Sequence, residues 1–234
     1  EHDYSEVLPS ASLKYTLSET SLVRFGLARV IARPPLDELR PSRTLTNFLP
    51  FTGSAGNPDL EPFKANQYDA TYEWYFRPEA PAGVAAFYKD VKSYIGWTQQ
   101  PETFGGTTYA ISSPVNRQGG SIKGLELIFQ TPFSFIPRLE NFGIYSNYAW
   151  VDSDLEEAAP ITDPLPGVGL ARHTAVLDFW YNRGPLELRL GYKYHSAFTV
   201  IYGWNGADLQ SLLSEEVFDF SSSYQLNDSI NFRF

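Results

Sequence analysis

The chain has three imidazoles, His2, His173 and His195, and no cysteine. No two of the histidines stand at the i, i+4 or H-x-x-H spacing that brings two nitrogens onto one metal ion. The sequence therefore offers no metal centre and no thiol nucleophile. Carboxylates at Asp69, Glu73, Asp178, Glu187 and Asp219 share their faces with Arg24, Arg172, Arg189, Lys193 and Arg233. His195 beside one of these acids is the nearest approach to a general-base pair. Alternating charges of this kind suit ion pairs across neighbouring strands in water, and no catalytic residue is assigned. The acidic run Asp152-Ser153-Asp154-Leu155-Glu156-Glu157 has hard oxygen donors but lacks the glycine-turn spacing of a calcium loop, so it reads as an exposed loop tip. Loop aromatics are better placed for chemistry. Trp97, Tyr109, Tyr202 and Trp204 can stack on a sugar ring or a planar chelate, and Arg117 can pair with an anion. These five are the candidate substrate-binding residues.

The elements that must carry them show a period of two. In the segment 68–76, Tyr68, Ala70, Tyr72, Trp74 and Phe76 fall on one face and Asp69, Thr71, Glu73 and Tyr75 on the other, a division that a helical period would scramble. Over 186–195, Leu186, Leu188, Leu190, Tyr192 and Tyr194 oppose Glu187, Arg189, Gly191, Lys193 and His195. The segments 171–181 and 218–225 repeat the scheme, with His173 on the apolar side. Weaker versions occupy 11–17, 21–33, 83–97, 121–130, 142–151 and 230–234. This makes about ten strands.

Connections alternate between short and long. Short links are expected near 18–20, 78–82, 132–138, 183–185 and 227–228, and long loops over 34–62, 98–118, 153–168 and 200–214, rich in Gly, Pro, Asn and Asp. Transmembrane barrels join their strands in this way, with tight periplasmic turns and long external loops. Aromatics make up 16% of the chain and cluster at strand ends (Trp74 to Phe76, Tyr148 with Trp150, Phe179 to Tyr181), as interfacial girdles require. No apolar run approaches the length of a membrane-spanning helix, and the mean hydropathy of -0.27 is what strands with one lipid face and one water face average to. A net charge of -9 excludes nucleic acid as a partner class.

Several stretches resemble the barrel of TonB-dependent receptors, in particular the branch abundant in Caulobacter- and Xanthomonas-type bacteria. They are Leu8-Pro9-Ser10, Ala32-Arg33-Pro34-Pro35, Gly56-Asn57-Pro58-Asp59-Leu60-Glu61-Pro62, Ala86-Phe87-Tyr88-Lys89-Asp90-Val91 and Gly119-Gly120-Ser121-Ile122-Lys123-Gly124-Leu125-Glu126. The resemblance implies an all-β, antiparallel transmembrane barrel in the bacterial outer membrane, with about ten strands here of a probable 22. On that reading residues 1–234 are the C-terminal portion of the barrel, and the plug domain is absent from this chain. The implied function is energy-coupled uptake of a small-molecule nutrient of the siderophore, cobalamin or carbohydrate class, without cofactor or covalent chemistry. The implied partners are outer-membrane lipid, the nutrient, and the TonB energising complex, which would be reached through an N-terminal segment not in this chain. Two rivals are a complete ten-stranded outer-membrane barrel enzyme such as a protease, and a soluble β-sandwich whose outward aromatics would need a second sheet over them.

Overall fold

The computed structural model describes residues 5–155, 169–202 and 208–234, the side chains of 201, 202, 208 and 209 aside. Its strands are β1 (Ser10–Ser18), β2 (Ser21–Ala32), β3 (Arg43–Leu45), β4 (Thr52–Ala55), β5 (Phe63–Arg77), β6 (Ala80–Phe104), β7 (Thr107–Pro132), β8 (Phe142–Ser153), β9 (His173–Arg183), β10 (Leu186–His195), β11 (Phe198–Tyr202), β12 (Asp208–Leu212), β13 (Glu215–Asn227) and β14 (Ile230–Arg233). Ten of them form one antiparallel wall in the order β1-β2-β5-β6-β7-β8-β9-β10-β13-β14. Each hydrogen-bonds to its neighbour in the chain, with two excursions, β3–β4 and β11–β12, at the same end.

Pairing register sorts the side chains as the period of two requires. Leu190 stands opposite Phe179 on one side and Phe220 on the other, while Arg189 stands opposite Trp180 and Ser221. The apolar rows are not covered by protein: Leu190 is 48% exposed and Phe220 66%. Among the described residues the second sheet is the two-stranded β11–β12 pair, so no packed sheet covers this face. Large aliphatic and aromatic side chains aligned and bare on one face of a ten-stranded wall need lipid as their solvent. The soluble sandwich is thereby set aside.

The opposite face is polar and laddered. Arg24 Nε lies 2.6 Å from Glu73 Oε1, and the Tyr75 hydroxyl donates to Glu73 Oε2 at 2.7 Å. Lys193 pairs with Asp219 at 3.2 Å, and Ser223 Oγ donates to Glu187 at 3.2 Å. Arg172 behaves differently from the expectation that it joins this ladder: it precedes β9 and holds Asp152, 3.2 Å away, at the long-loop end.

Two-residue turns, Glu19-Thr20, Pro78-Glu79, Gly184-Pro185 and Asp228-Ser229, close four hairpins at one end. The other end is taller. β6 and β7 run for 25 and 26 residues, about 80 Å at roughly 3.3 Å per residue, where 9–11 residues suffice to cross a bilayer. The expected loop over 98–118 is therefore a continuation of both strands, closed by Gly105-Gly106 at φ +57° and +82°, the conformation of a tight hairpin turn. The β6–β7 pairing keeps one register from Ala82↔Phe129 to Phe104↔Thr107.

Candidate functional site

Above the wall, the 34–62 connection folds onto the β6–β7 extension. β3 pairs with β4, and β4 pairs in parallel with β7 from Thr52↔Ala110 to Ser54↔Ser112. Ala55, Tyr109 and Ile111 are buried on one face of this four-stranded sheet, with Leu45, Phe51 and Phe104 packed against them. The sheet curls around that core. Its two outer strands meet through Arg43 Nε and Glu102 Oε2, 3.1 Å apart, although β4 and β7 lie between them, and the Arg43 guanidinium sits over the Phe104 ring.

The segment Gly56–Pro62 fastens this module to the hairpin. Asn57 Nδ2 donates to the Pro114 carbonyl at 3.1 Å. Asn116 exchanges two bonds with Glu61, its Nδ2 donating to the carbonyl at 2.9 Å and its Oδ1 accepting from the N–H at 2.8 Å. Leu60, Pro62 and Pro114 are buried beneath. At the start of the same loop, the Glu38 carbonyl accepts from the Asn57 N–H, while its carboxyl is pushed above the usual carboxylate range by burial and, less, by Asp37 next to it. Across the hairpin, the Asp154 carboxylate accepts from the Ser121 N–H and is held below that range.

The five candidate residues do not form one cluster. Tyr109 is 7% exposed, its ring edge-on to Phe51 and its hydroxyl donating to Asn47, so it is part of the module's core. Trp97, half-buried, pairs with Pro114 on the face that continues the polar side of the wall. Arg117 pairs with Tyr94 on the other face and lies against Gly96, its Nη2 donating to the Trp97 carbonyl at 2.8 Å. Trp204 and the Tyr202 side chain lie outside the described residues. His195 ends β10 on the polar face, its Nδ1 3.1 Å from the Ser196 carbonyl and its Nε2 3.2 Å from Glu215.

Sequence reasoning missed a polar recess of about 350 Å³ on the inner wall, lined by Gln130, Tyr145, Asp178, Trp180, Asn182 and Arg189. The Trp180 indole lies so close over Gly143 that any β-carbon there would collide with it. An aromatic platform ringed by amide, carboxyl and guanidinium groups can hold a polyhydroxylated or planar ligand. Trp180 opposite Arg189 in the alternation was the available signal.

With the geometry in view, comparison with known proteins is decisive. The family model for the β-barrel of TonB-dependent receptor-like proteins matches residues 1–234. The chain belongs to the TonB-dependent receptor family. This receptor barrel accordingly lies in the outer membrane of a Gram-negative bacterium, its long-loop end outside and its short-turn end in the periplasm. The family transports and does not catalyse, so the barrel-enzyme alternative falls. Similar solved structures include the ferric enterobactin receptor from Pseudomonas aeruginosa (18% identity, TM-score 0.69, 94% of this chain and 33% of that one). The siderophore receptor PirA from Acinetobacter baumannii is also similar (16%, 0.66, 94% and 35%), as is the copper transporter OprC (15%, 0.64, 94% and 31%). The chain spans about a third of the length of each, and at these identities the likeness is one of fold. No curated protein matches it in sequence.

Proposed function

We propose that the receptor of which this barrel is a part, as its C-terminal portion, captures a scarce nutrient outside the cell and passes it inward when a plug domain, energised through TonB, rearranges in the lumen. The observation that supports this most is the pairing of a water-compatible, charge-laddered inner wall with an ordered module standing over its outer end. The inner wall also bears on cargo. Lys14, Arg24, Lys89, Arg189, Lys193 and Arg233 face inward with Asp69, Glu73, Glu126, Asp178, Glu187, Glu215 and Asp219, so along these strands the two signs nearly balance. An inner wall of nearly balanced charge with a tryptophan platform favours a neutral, hydroxyl-rich cargo of the carbohydrate class over a multiply charged chelate. Trp97, Tyr202, Trp204 and Arg117 are the proposed outer contacts, and Tyr109 supports them by packing the module. A ferric siderophore is the second reading, suggested by what the similar structures bind.

The test is to delete the full reading frame in its host and measure uptake of labelled oligosaccharides and of ferric siderophores, with and without TonB. Loss of TonB-dependent oligosaccharide uptake is expected. Loss of siderophore uptake alone overturns the cargo assignment, and uptake that survives loss of TonB overturns energy coupling.

A further inference from the structure

The link between β7 and β8 is unlike the other turns at the periplasmic end. Where they have two residues, this one has nine, Phe133 to Asn141, and it is ordered by three successive turns: Ile136 N–H to Phe133 O at 2.8 Å, Leu139 N–H to Ile136 O at 3.0 Å, and Phe142 N–H to Leu139 O at 2.9 Å. The Glu140 carboxylate folds back to accept from the Arg138 N–H at 3.0 Å, which supports Arg138 at φ +74°. The turn shows two large apolar side chains, Phe135 at 44% and Leu139 at 39% exposure, beside exposed Ser134, Pro137, Arg138 and Glu140.

Its direction is set by a neighbouring irregularity. A bulge between Tyr75 and Arg77 pairs Arg77 with Ala80, on the side of Ala82 and Val84, which is the lipid-facing side. There the Arg77 guanidinium lies 4.1 Å above the Phe135 ring, so the turn leans outward across the β5–β6 end of the wall. It continues the periplasmic girdle directly. Phe76 stacks on Phe129 beside it, and Phe142 packs on Tyr181 at 4.7 Å on its other flank. Exposed Arg138 has no acidic partner among the described residues.

We infer that residues 133–141 form an interfacial anchor, lying in the inner leaflet of the outer membrane with Arg77 and Arg138 on phospholipid phosphates. Apolar side chains continuous with a lipid-facing girdle, crowned by two guanidiniums, match the boundary where acyl chains give way to anionic headgroups. The inference rests on the membrane-barrel reading. It specifies one partner, phospholipid, for a surface that could instead meet a periplasmic protein or another part of the receptor.

This chain has no cysteine, so single spin labels can be placed in the full receptor once any cysteine elsewhere is replaced by serine. Labels at Leu139→Cys, at Leu190→Cys on the wall and at Leu36→Cys in the external loop are compared in vesicles of phosphatidylethanolamine and phosphatidylglycerol, by collision with oxygen and with a water-soluble nickel chelate. The Leu139 label is expected to favour oxygen several-fold over the Leu36 label, and to loosen when phosphatidylglycerol is replaced by phosphatidylcholine. Arg77→Gln with Arg138→Gln should remove that lipid dependence. A Leu139 label as open to nickel as Leu36 overturns the anchor, and one shielded from both reagents overturns it in favour of a protein occupant. Lipid dependence that survives the double arginine variant overturns the phosphate contact. Should Leu190 itself read as aqueous, the membrane wall fails and the anchor with it.

Discussion

Leu190 and Ile111 are both aliphatic strand residues of this barrel, yet one is half exposed and the other 1% exposed. Leu190 belongs to the wall, where β10 buries only Gly191 and the backbone ladder supplies order while lipid takes the apolar face. Ile111 belongs to the external module, a curled sheet that buries an ordinary protein core in water. One chain thus folds against two solvents, and the same substitution should have different consequences in each.

The largest contrast is expected at the module's centre. Ile111→Ala should cost about 2–5 kcal/mol locally, as for other buried aliphatic truncations. Hydrogen exchange should show amides of 43–55 and 107–113 losing protection while those of 186–195 keep theirs; joint loss would mean that module and wall are one cooperative unit. Next is the wall itself. Leu190→Arg should destabilise the barrel by about 2–4 kcal/mol in urea titrations from vesicles, the cost of a cation near the bilayer midplane. One residue away, Arg189→Gln faces water and should stay within about 0.5 kcal/mol. Equal losses at 189 and 190 would erase the two-faced wall. A third effect is smaller: Arg24→Ala should cost about 0.2–1 kcal/mol despite its 2.6 Å pair with Glu73, because both groups lie on the water side and Arg24 is half exposed.

The smallest effects are two opposing pH slopes, one in the 34–62 loop and one at the outer end of β8. Glu38 is raised by burial, so its contribution is present in acid and is lost as pH rises through its elevated folded value. Asp154 is lowered by the Ser121 N–H, so its contribution is present above the ordinary carboxylate range and is lost as pH falls through its depressed value. Protease protection of the 34–62 loop should therefore decline from mild acid to neutral pH, and Glu38→Gln should flatten that decline. Asp154→Asn should flatten the acid-side loss at the β8 end. A single slope for both sites would contradict their separate causes.

The wall was legible because its information is local. Alternation over 186–195 delimits β10, and alternation over 68–76 lies within β5, since each face meets a uniform solvent along the whole strand. The module was not legible, for two reasons. Pro101 and Pro114 interrupt the pattern of β6 and β7, and they are tolerated because no third strand needs their missing N–H: β6 has only β7 beside it there, and β4 reaches only to Ser112. Tyr109 looked available to a ligand because its partners, Asn47 and Phe51, lie 62 and 58 residues away and are invisible to any local period. The Gly56–Pro62 motif was visible, but its role as a clip on Pro114 and Asn116 depends on the same long-range fold.

The central claim is a wall with lipid on one side and a water-filled passage on the other. A single-cysteine scan of 186–195 in the reconstituted receptor, labelled with a membrane-impermeant maleimide, tests it most directly. Reaction should alternate, with Glu187, Arg189, Gly191, Lys193 and His195 positions labelling and Leu186, Leu188, Leu190, Tyr192 and Tyr194 positions protected. Uniform labelling, or protection recurring every three to four residues, would contradict the account.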